Sequence, residues 1–299
     1  MKEVKKLSFA YLCLRLLHQF RAWVPDRQYQ EIQFRCIEGR KLNLDNPQTF
    51  NEKLQWLKLY DRKPEYTMMV DKYAVKKYVA EIIGEEHIIP TYAVYDNVDE
   101  IDISKLPEQF VLKCTHDSGG IAICSDRSAF DLKAAKEKLS RRMKVNNFLH
   151  TREWPYKDVP HKIIAEKYMV DESGWQLKDY KVFCFNGEPK FVEVDYDRYV
   201  GHKLNVYDLN WNYIDFYMTS PNDENVIIEK PKRLDLILDF SRKLSVGIPF
   251  VRADFYSIGD EIYFGELTFH PGSGLIDFHP EEYDWKIGKL LTLPKEKKQ

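Results

Sequence analysis

Apolar positions along the chain change their spacing part-way. In the first third they recur three or four residues apart, the spacing of one helix face; later they come in short runs that fit strands, with helices between them. Thr49-Phe50-Asn51-Glu52 is a capping-box pattern, in which hydroxyl and carboxylate satisfy two free N–H groups reciprocally. Phe50, Leu54, Trp56 and Leu57 then supply an apolar stripe. A second helix is expected from about Thr67 to Ile83, stopped by Gly84. Residues 88–94 fit a short strand. The runs 110–114 and 121–124 flank Ser118-Gly119-Gly120 and predict a hairpin. A helix over about 128–144 precedes strand candidates at 162–169, 179–186, 189–195, 204–208 and 213–217. Pro231 and Gly247 bracket another helix, and strands at 250–257 and 261–268 close the set. This mixture predicts α+β layers.

Composition narrows the class. The 299 residues suffice for about two domains, and 44% hydrophobic with 31% charged residues allows a real core. Lys+Arg 45 against Asp+Glu 47 leaves a net charge of −2, which argues against a general nucleic-acid binder. Cys13, Cys36, Cys114, Cys124 and Cys184 are scattered and never form a CxxC pair, so a reducing cytoplasm fits better than disulfides or zinc. Lys2 to Lys6 followed by Leu7–Leu14 resembles a weak signal peptide, but Arg15 ends the apolar run and no cleavage site follows. A basic amphipathic helix packed on the body is the first reading, contact with a membrane surface the second. The only charge-rich tail is Lys295-Glu296-Lys297-Lys298. The content of 14% aromatic residues implies an aromatic core or a surface for a flat ligand.

The chemistry concentrates near the C-terminus. On strand 250–257, Arg252 and Asp254 share a face; on strand 261–268, Glu266 and Thr268 do. A four-residue turn would separate Asp254 from Glu266. A three-residue turn, Ile258-Gly259-Asp260, sets Arg252 opposite Glu266 and Asp254 opposite Phe264, gathering three charges on one face. Two carboxylates there can hold Mg²⁺, with phosphates and water completing its octahedron. The plain alternative is a solvated face with a salt bridge worth at most about 1 kcal/mol. The loop Phe269-His270-Pro271-Gly272-Ser273-Gly274 follows at once, and its amides can cradle an anion. Lys113 interrupts an apolar strand and precedes Thr115-His116-Asp117-Ser118-Gly119-Gly120, a loop able to close over phosphates; an edge lysine before a hairpin turn is the alternative. It is neither a Walker loop nor a GxGxxG. The strand 163–169, ending in Glu166, Lys167, Tyr168 and Met169 with Asp171 and Glu172 beyond, can present an adenine edge and a ribose acid, or simply leave the core at a charged edge. Lys181 intrudes into a further apolar strand.

In this order the residues resemble the ATP-grasp superfamily, and most closely its TupA-like family of bacterial surface-polysaccharide gene clusters. The likeness runs from about Asn46 to Pro294. It is carried by 49–56, Asp71-Lys72-Tyr73, Lys113 with its glycine loop, 153–157, 164–168, Asp179-Tyr180-Lys181, and Gly265-Glu266-Leu267-Thr268 with 271–274. The resemblance implies an ATP-grasp fold with two α+β lobes sandwiching ATP: a helical extension over 1–62, a helix–strand segment over 63–105, a lysine-strand lobe over 106–165 and a metal-site lobe over 166–299. It implies ATP and Mg²⁺ as cofactors. Lys113 would contact the phosphates beneath the loop of His116, Ser118, Gly119 and Gly120. Glu166, Lys167, Tyr168 and Met169 would form the adenine hinge, with Asp171 or Glu172 near the ribose. Asp254, Glu266 and Thr268 would hold the metal, Thr268 standing where the superfamily has Asn. Lys181 and Arg252 would stabilise the transferring phosphoryl group, and Gly272, Ser273 and Gly274 would join Arg252 at the substrate. The implied reaction joins an amino acid or amine to a uronic-acid carboxylate of a saccharide through an acyl phosphate, in the cytoplasm or at the inner membrane face beside assembly proteins. A sugar or polyol kinase, a glycosyltransferase and a non-catalytic nucleotide-binding scaffold stand as alternatives. For the glycosyltransferase, Asp195-Tyr196-Asp197 is the one stretch close to a metal motif.

Overall fold

The computed structural model describes residues 8–174, 176–197 and 201–295. The basic residues Lys2 to Lys6 and the tail beyond Lys295 lie outside them. Three helices come first: α1 (Phe9–Gln19), α2 (Asp26–Glu38) and α3 (Phe50–Tyr60). Both halves of the expected capping box form at the start of α3, from the Thr49 hydroxyl and the Glu52 carboxylate. The helix expected over 67–83 is instead two, α4 (Glu65–Val70) and α5 (Ala74–Ile83). Asp71 divides them. Its Oδ1 accepts the amides of Tyr73 at 2.8 Å and Ala74 at 3.2 Å, capping α5, while the Lys72 amide donates to the Thr115 carbonyl at 3.1 Å.

A four-stranded antiparallel sheet follows, from β1 (Thr91–Tyr95), β2 (Phe110–Cys114), β3 (Ile121–Cys124) and, after α6 (Leu132–Met143) and α7 (Asn147–Thr151), β4 (Ile163–Lys167). Its order is β1-β4-β2-β3. The β2–β3 hairpin is the one the sequence predicts. Phe110, Leu112 and Cys114 pack with Leu139 of α6 in one core, so strand alternation turns Val111 and Lys113 to the opposite face.

The larger sheet uses β5 (Asp179–Phe185), β6 (Glu188–Tyr196), β7 (Lys203–Tyr207) and β8 (Tyr213–Ile214), together with β10 (Phe250–Ile258) and β11 (Glu261–Thr268). Its order is β11-β10-β5-β6-β7-β8, antiparallel throughout. The strand expected over 213–217 is split, because β9 (Tyr217–Met218) leaves the sheet to pair with β12 (Phe278–His279). Helix α8 (Leu234–Ser245) covers one face, against Val182, Val192, Val251 and Ala253. On the other face Phe183, Phe185, Phe191 and Phe250 pack under Phe50 and Leu54 of α3. The last helix among the described residues is α9 (Glu282–Gly288), against the start of α3, where the Asn51 backbone amide donates to Asp284 at 2.8 Å. Two α+β layers with antiparallel sheets result, as the sequence implies.

Candidate active site

The face of the large sheet that is aromatic beneath α3 becomes charged further along the same strands. Register explains this. Glu266 lies opposite Asp254, Asp254 opposite Lys181, and Lys181 opposite Glu193, so four charged side chains form one row across β11, β10, β5 and β6. In the next row Thr268 lies opposite Arg252 and Arg252 opposite Phe183.

The turn that creates this register differs from the three-residue loop expected. Ile258 pairs with Glu261, leaving a two-residue turn of Gly259 and Asp260, with Gly259 at φ +59°. Unbroken, that register would send Glu266 to the far face. A bulge between Asp254 and Phe255 on one strand, with Gly265 as the extra residue on the other, restores it. A Cβ on Gly265 would lie 3.0 Å from the Asp254 carbonyl oxygen, so the bulge uses a glycine. Asp254 therefore faces Glu266 rather than Phe264, and Arg252 faces Thr268 rather than Glu266.

Three cavities run end to end along this region. The first, about 350 Å³, has apolar walls including Ile89, Val111 and Leu177, and is edged by Lys167, Tyr168 and Met169. Lys113, Ile121, Asp179 and Tyr256 also line the second, about 230 Å³, which holds Lys72, Ser118, Gly120, Lys181, Arg252, Asp254 and Glu266. Lys181 and Arg252 connect it to the third, about 220 Å³, with Glu193, Asp195, His202 and Gly272 in its wall.

Each cation of the middle cavity is matched to acids. Lys113 reaches Glu166 at 2.7 Å, and Lys76 reaches the other oxygen of Glu166 at 2.5 Å. Lys72 meets Glu266 at 2.6 Å. Lys181 bridges Glu193, at 3.1 Å, and Asp195. Arg252 grips Asp254 with two hydrogen bonds of 2.7 and 2.5 Å and lies 3.5 Å from Glu266. Burial pushes the Asp254 carboxyl up to about 7, against the pull of Arg252. Burial acts on Glu266 in the same direction, but Lys72 and then Arg252 overrule it and hold it at about 2. Among the described residues no group of three or more His, Cys, Asp or Glu is arranged for a metal. Asp254 and Glu266 fit Mg²⁺ in the manner of phosphate-bound Mg²⁺ sites: two hard carboxylates, with the remaining ligands left to phosphate and water. A buried carboxyl held near neutrality beside an ionised one is also a donor that a divalent cation would deprotonate. Thr268 directs its hydroxyl to neighbouring side chains, accepting from Arg252 at 3.2 Å and donating to Glu266 at 3.4 Å.

The glycine loop is tightly braced. Asp117 accepts the Gly120 amide at 2.8 Å and pairs with Arg142 of α6. A Cβ on Gly120 would meet Cys114 Sγ at 2.5 Å, so this glycine answers to space rather than to φ. His116 is buried and stacked on His161 at 3.6 Å, with Nε2 on the Arg142 carbonyl, so it braces the loop from behind. Gly119 abuts the Arg142 guanidinium.

Several expected residues lie elsewhere than the sequence implied. Glu166 is committed to Lys113 and Lys76 instead of edging the first cavity. Asp171 is tied to Lys178 at 2.6 Å and to the Ser173 amide at 2.9 Å, and Glu172 accepts the Gly259 amide at 2.6 Å; Gln176 and Asp179 take their place at the cavity wall. Ser273 and Gly274 turn toward α3. Their carbonyls accept from Gln55, that of Ser273 also from Lys58, and the Ser273 hydroxyl donates to Glu153 at 2.8 Å. The Ser273 amide is bonded to the His270 carbonyl, and it is Pro271 and Gly272 of that loop that line the third cavity. Lys72, Asp179, Glu193 and His202 are among the residues sequence reasoning missed as candidate site members. Lys72 and Asp179 stood inside segments that carried the family likeness.

Comparison with known proteins decides the family. A family model described as TupA-like ATPgrasp matches residues 52–292. The chain belongs to the TupA-like ATP-grasp family. ATP-grasp enzymes use ATP and Mg²⁺, the cofactors the sequence implies. Similar solved structures include the D-alanine–D-alanine ligase of Helicobacter pylori, at 16% identity and TM-score 0.41 over 81% of this chain and 69% of that one. The D-alanine–D-alanine ligase of Bacillus anthracis complexed with ATP matches at 15% identity and TM-score 0.37, over 68% of this chain and 54% of that one. The ATP-grasp ligase PsnB, complexed with minimal precursor, Mg and ADP, matches at 9% identity and TM-score 0.40, over 89% of this chain and 67% of that one. The chain thus spans between 54% and 69% of the length of these proteins. No curated protein matches. Among the described residues no helix is long and apolar enough to cross a membrane.

Proposed function

We propose that this chain is an ATP- and Mg²⁺-dependent carboxylate–amine ligase that joins an amino acid or amine to the uronic-acid carboxylate of a bacterial surface-polysaccharide saccharide. The observation that carries this reading is the continuous run of three cavities, with Lys113, Asp254, Glu266 and Arg252 in the middle. The first takes the nucleoside, edged by Lys167, Tyr168 and Met169. In the second, Lys72, Lys113, Lys181 and Arg252 face the phosphates beneath the loop of Ser118 and Gly120. The third takes the acceptor. In this division residues 106–165 supply Lys113 and its loop, and residues 166–299 supply the metal ligands and the acceptor wall.

Asp254 and Glu266 would hold the Mg²⁺, which when bound neutralises phosphate oxygens. A saccharide carboxylate oxygen attacks the γ-phosphorus, the bond to the β-phosphate oxygen breaks, and ADP leaves. Arg252 and Lys181, shared between the second and third cavities, stabilise the charge spread over the transferring oxygens. The neutral amine then attacks the acyl carbon, the carbon–oxygen bond to phosphate breaks, and amide and phosphate form. Asp195 and His202, 3.1 Å apart in the third cavity, receive the proton the amine loses.

The test is ADP and phosphate release from Mg-ATP with uronate-containing oligosaccharides, with and without an amino-acid mixture. Release requiring both substrates is the expected result, and Lys113→Ala and Glu266→Ala each lower it by about a hundredfold or more. A phosphorylated sugar formed without amine would make the protein a kinase. Tight nucleotide binding without turnover would make it a scaffold, and unchanged turnover in both variants would displace the site.

A further inference from the structure

The N-terminal helix carries a feature the active site does not use. Its inner side packs on the body. Leu17 is buried, and the wholly buried Arg152 donates to the carbonyls of Arg21, at 2.5 Å, and Val24, at 3.0 Å, just after the helix. A second apolar stripe nevertheless faces away. Phe9, Leu12, Leu16 and Phe20, spaced three and four apart, are 82%, 54%, 48% and 53% exposed, and Trp23 beyond them is 86% exposed. Apolar positions at that spacing form one line along a helix.

The charge along this stretch of sequence is just as uneven. The first 24 residues contain five basic residues, Lys2, Lys5, Lys6, Arg15 and Arg21, against Glu3 alone, although the whole chain has 45 basic and 47 acidic residues. Arg15 is exposed on the helix itself. An apolar stripe rich in Phe and Trp, in a strongly basic stretch of a near-neutral chain, matches an anionic bilayer surface. Aromatic side chains favour the interface, and each basic residue gains from acidic headgroups. A second copy of this chain would bring an equally basic stretch against it.

We propose that α1 and Trp23 seat the protein on anionic phospholipid membranes, with Phe9, Leu12, Leu16, Phe20 and Trp23 entering the headgroup boundary. The proposal is independent of the ligase reading. Its test is co-sedimentation of the full chain with vesicles of equal phosphatidylglycerol and phosphatidylcholine, and with pure phosphatidylcholine, in about 0.1 M NaCl. The expected result is binding to the anionic vesicles, at least about tenfold weaker to the neutral ones and weakened by about 0.5 M NaCl. Leu12→Glu with Leu16→Glu, on exposed positions, lowers that binding by about a hundredfold. Its ATP-induced melting shift stays as in the parent, which shows that the body is folded; Phe9→Ser with Trp23→Ser is a milder second pair. Absence of vesicle binding by the parent chain overturns the proposal, as does binding unchanged in both pairs. A concentration-dependent dimer that dissociates in the variants, without vesicle binding, would assign the stripe to a second copy instead.

Discussion

Asp254 and Glu266 face each other across two strands, yet their carboxyls are driven to opposite ends of the acid range. Burial lifts Asp254 to about 7, whereas Lys72 and Arg252, against burial, keep Glu266 at about 2. Below pH 7 a cation entering between them must displace the Asp254 proton. Divalent-cation affinity in the presence of nucleotide is therefore expected to rise about tenfold per pH unit up to pH 7 and then level off. Calorimetry with Mn²⁺ in buffers of different ionisation heat reads both the slope and the released proton. A flat profile would remove Asp254 from the cation site. Stability of the cation-free protein has the reverse sign: a carboxyl whose folded value lies above its ordinary 3.8 contributes most when protonated, and that contribution fades as pH rises from about 4 to 7. The residue types of this site were legible in the sequence, because Arg252, Asp254, Glu266, Lys113 and Lys181 interrupt apolar strands. The contact between Asp254 and Glu266 was not. Alternation alone gives no sign of a bulge at Gly265, and the expected longer turn brought the two acids to one face by the wrong register.

At the scale of elements, α3 shows how the fold holds the loop that follows β11. Its capping box and apolar stripe are plain in the sequence, but its polar residues are buried as well. Asn51 donates to the Ile276 carbonyl and accepts the Ile276 amide, both at 2.9 Å, while Gln55 and Lys58 take the carbonyls of Ser273 and Gly274. Helix and loop therefore share a polar seam that apolar patterning cannot predict, and the loop's polar groups are drawn away from the cavity. Asn51→Ala leaves a buried carbonyl and amide without partners, which should cost about 2–4 kcal/mol. Urea unfolding measures it, and a loss below about 1 kcal/mol would mean that the seam is not holding the loop. Most of the elements that periodicity placed fall within a few residues of their expected bounds, while α2, α7 and α9 were not placed at all. The exceptions have local causes. Asp71 caps a new helix inside an unbroken apolar pattern and so fixes Lys72 opposite Glu266, and Phe278 and His279, some sixty residues on, draw 217–218 out of the large sheet.

For the whole molecule, a ligand in the middle cavity would report on both sheets. Lys113 and the glycine loop belong to the four-stranded sheet, Asp254, Lys181 and Glu266 to the six-stranded one, and the middle cavity is lined by both. Lys72 is one of the ties between the two. Lys72 pairs with Glu266 through its side chain and with the Thr115 carbonyl through its amide. A net charge of −2 conceals this concentration of cations, because each is balanced by a neighbouring acid within the chain. In the proposed reading a nucleotide with its metal would span the seam and bind only when both sheets are in place, so its binding free energy would add directly to the stability of the assembled state. At a hundred times the dissociation constant that amounts to about 2.7 kcal/mol, and for a chain of this size to a rise in melting temperature on the order of 5 °C. The rise should require Mg²⁺ and ATP together. Lys113→Ala on one sheet and Glu266→Ala on the other should each remove most of it, and hydrogen exchange should slow in β2 and β11 alike. Protection confined to one sheet, or a shift that survives both substitutions, would place the nucleotide somewhere other than between them.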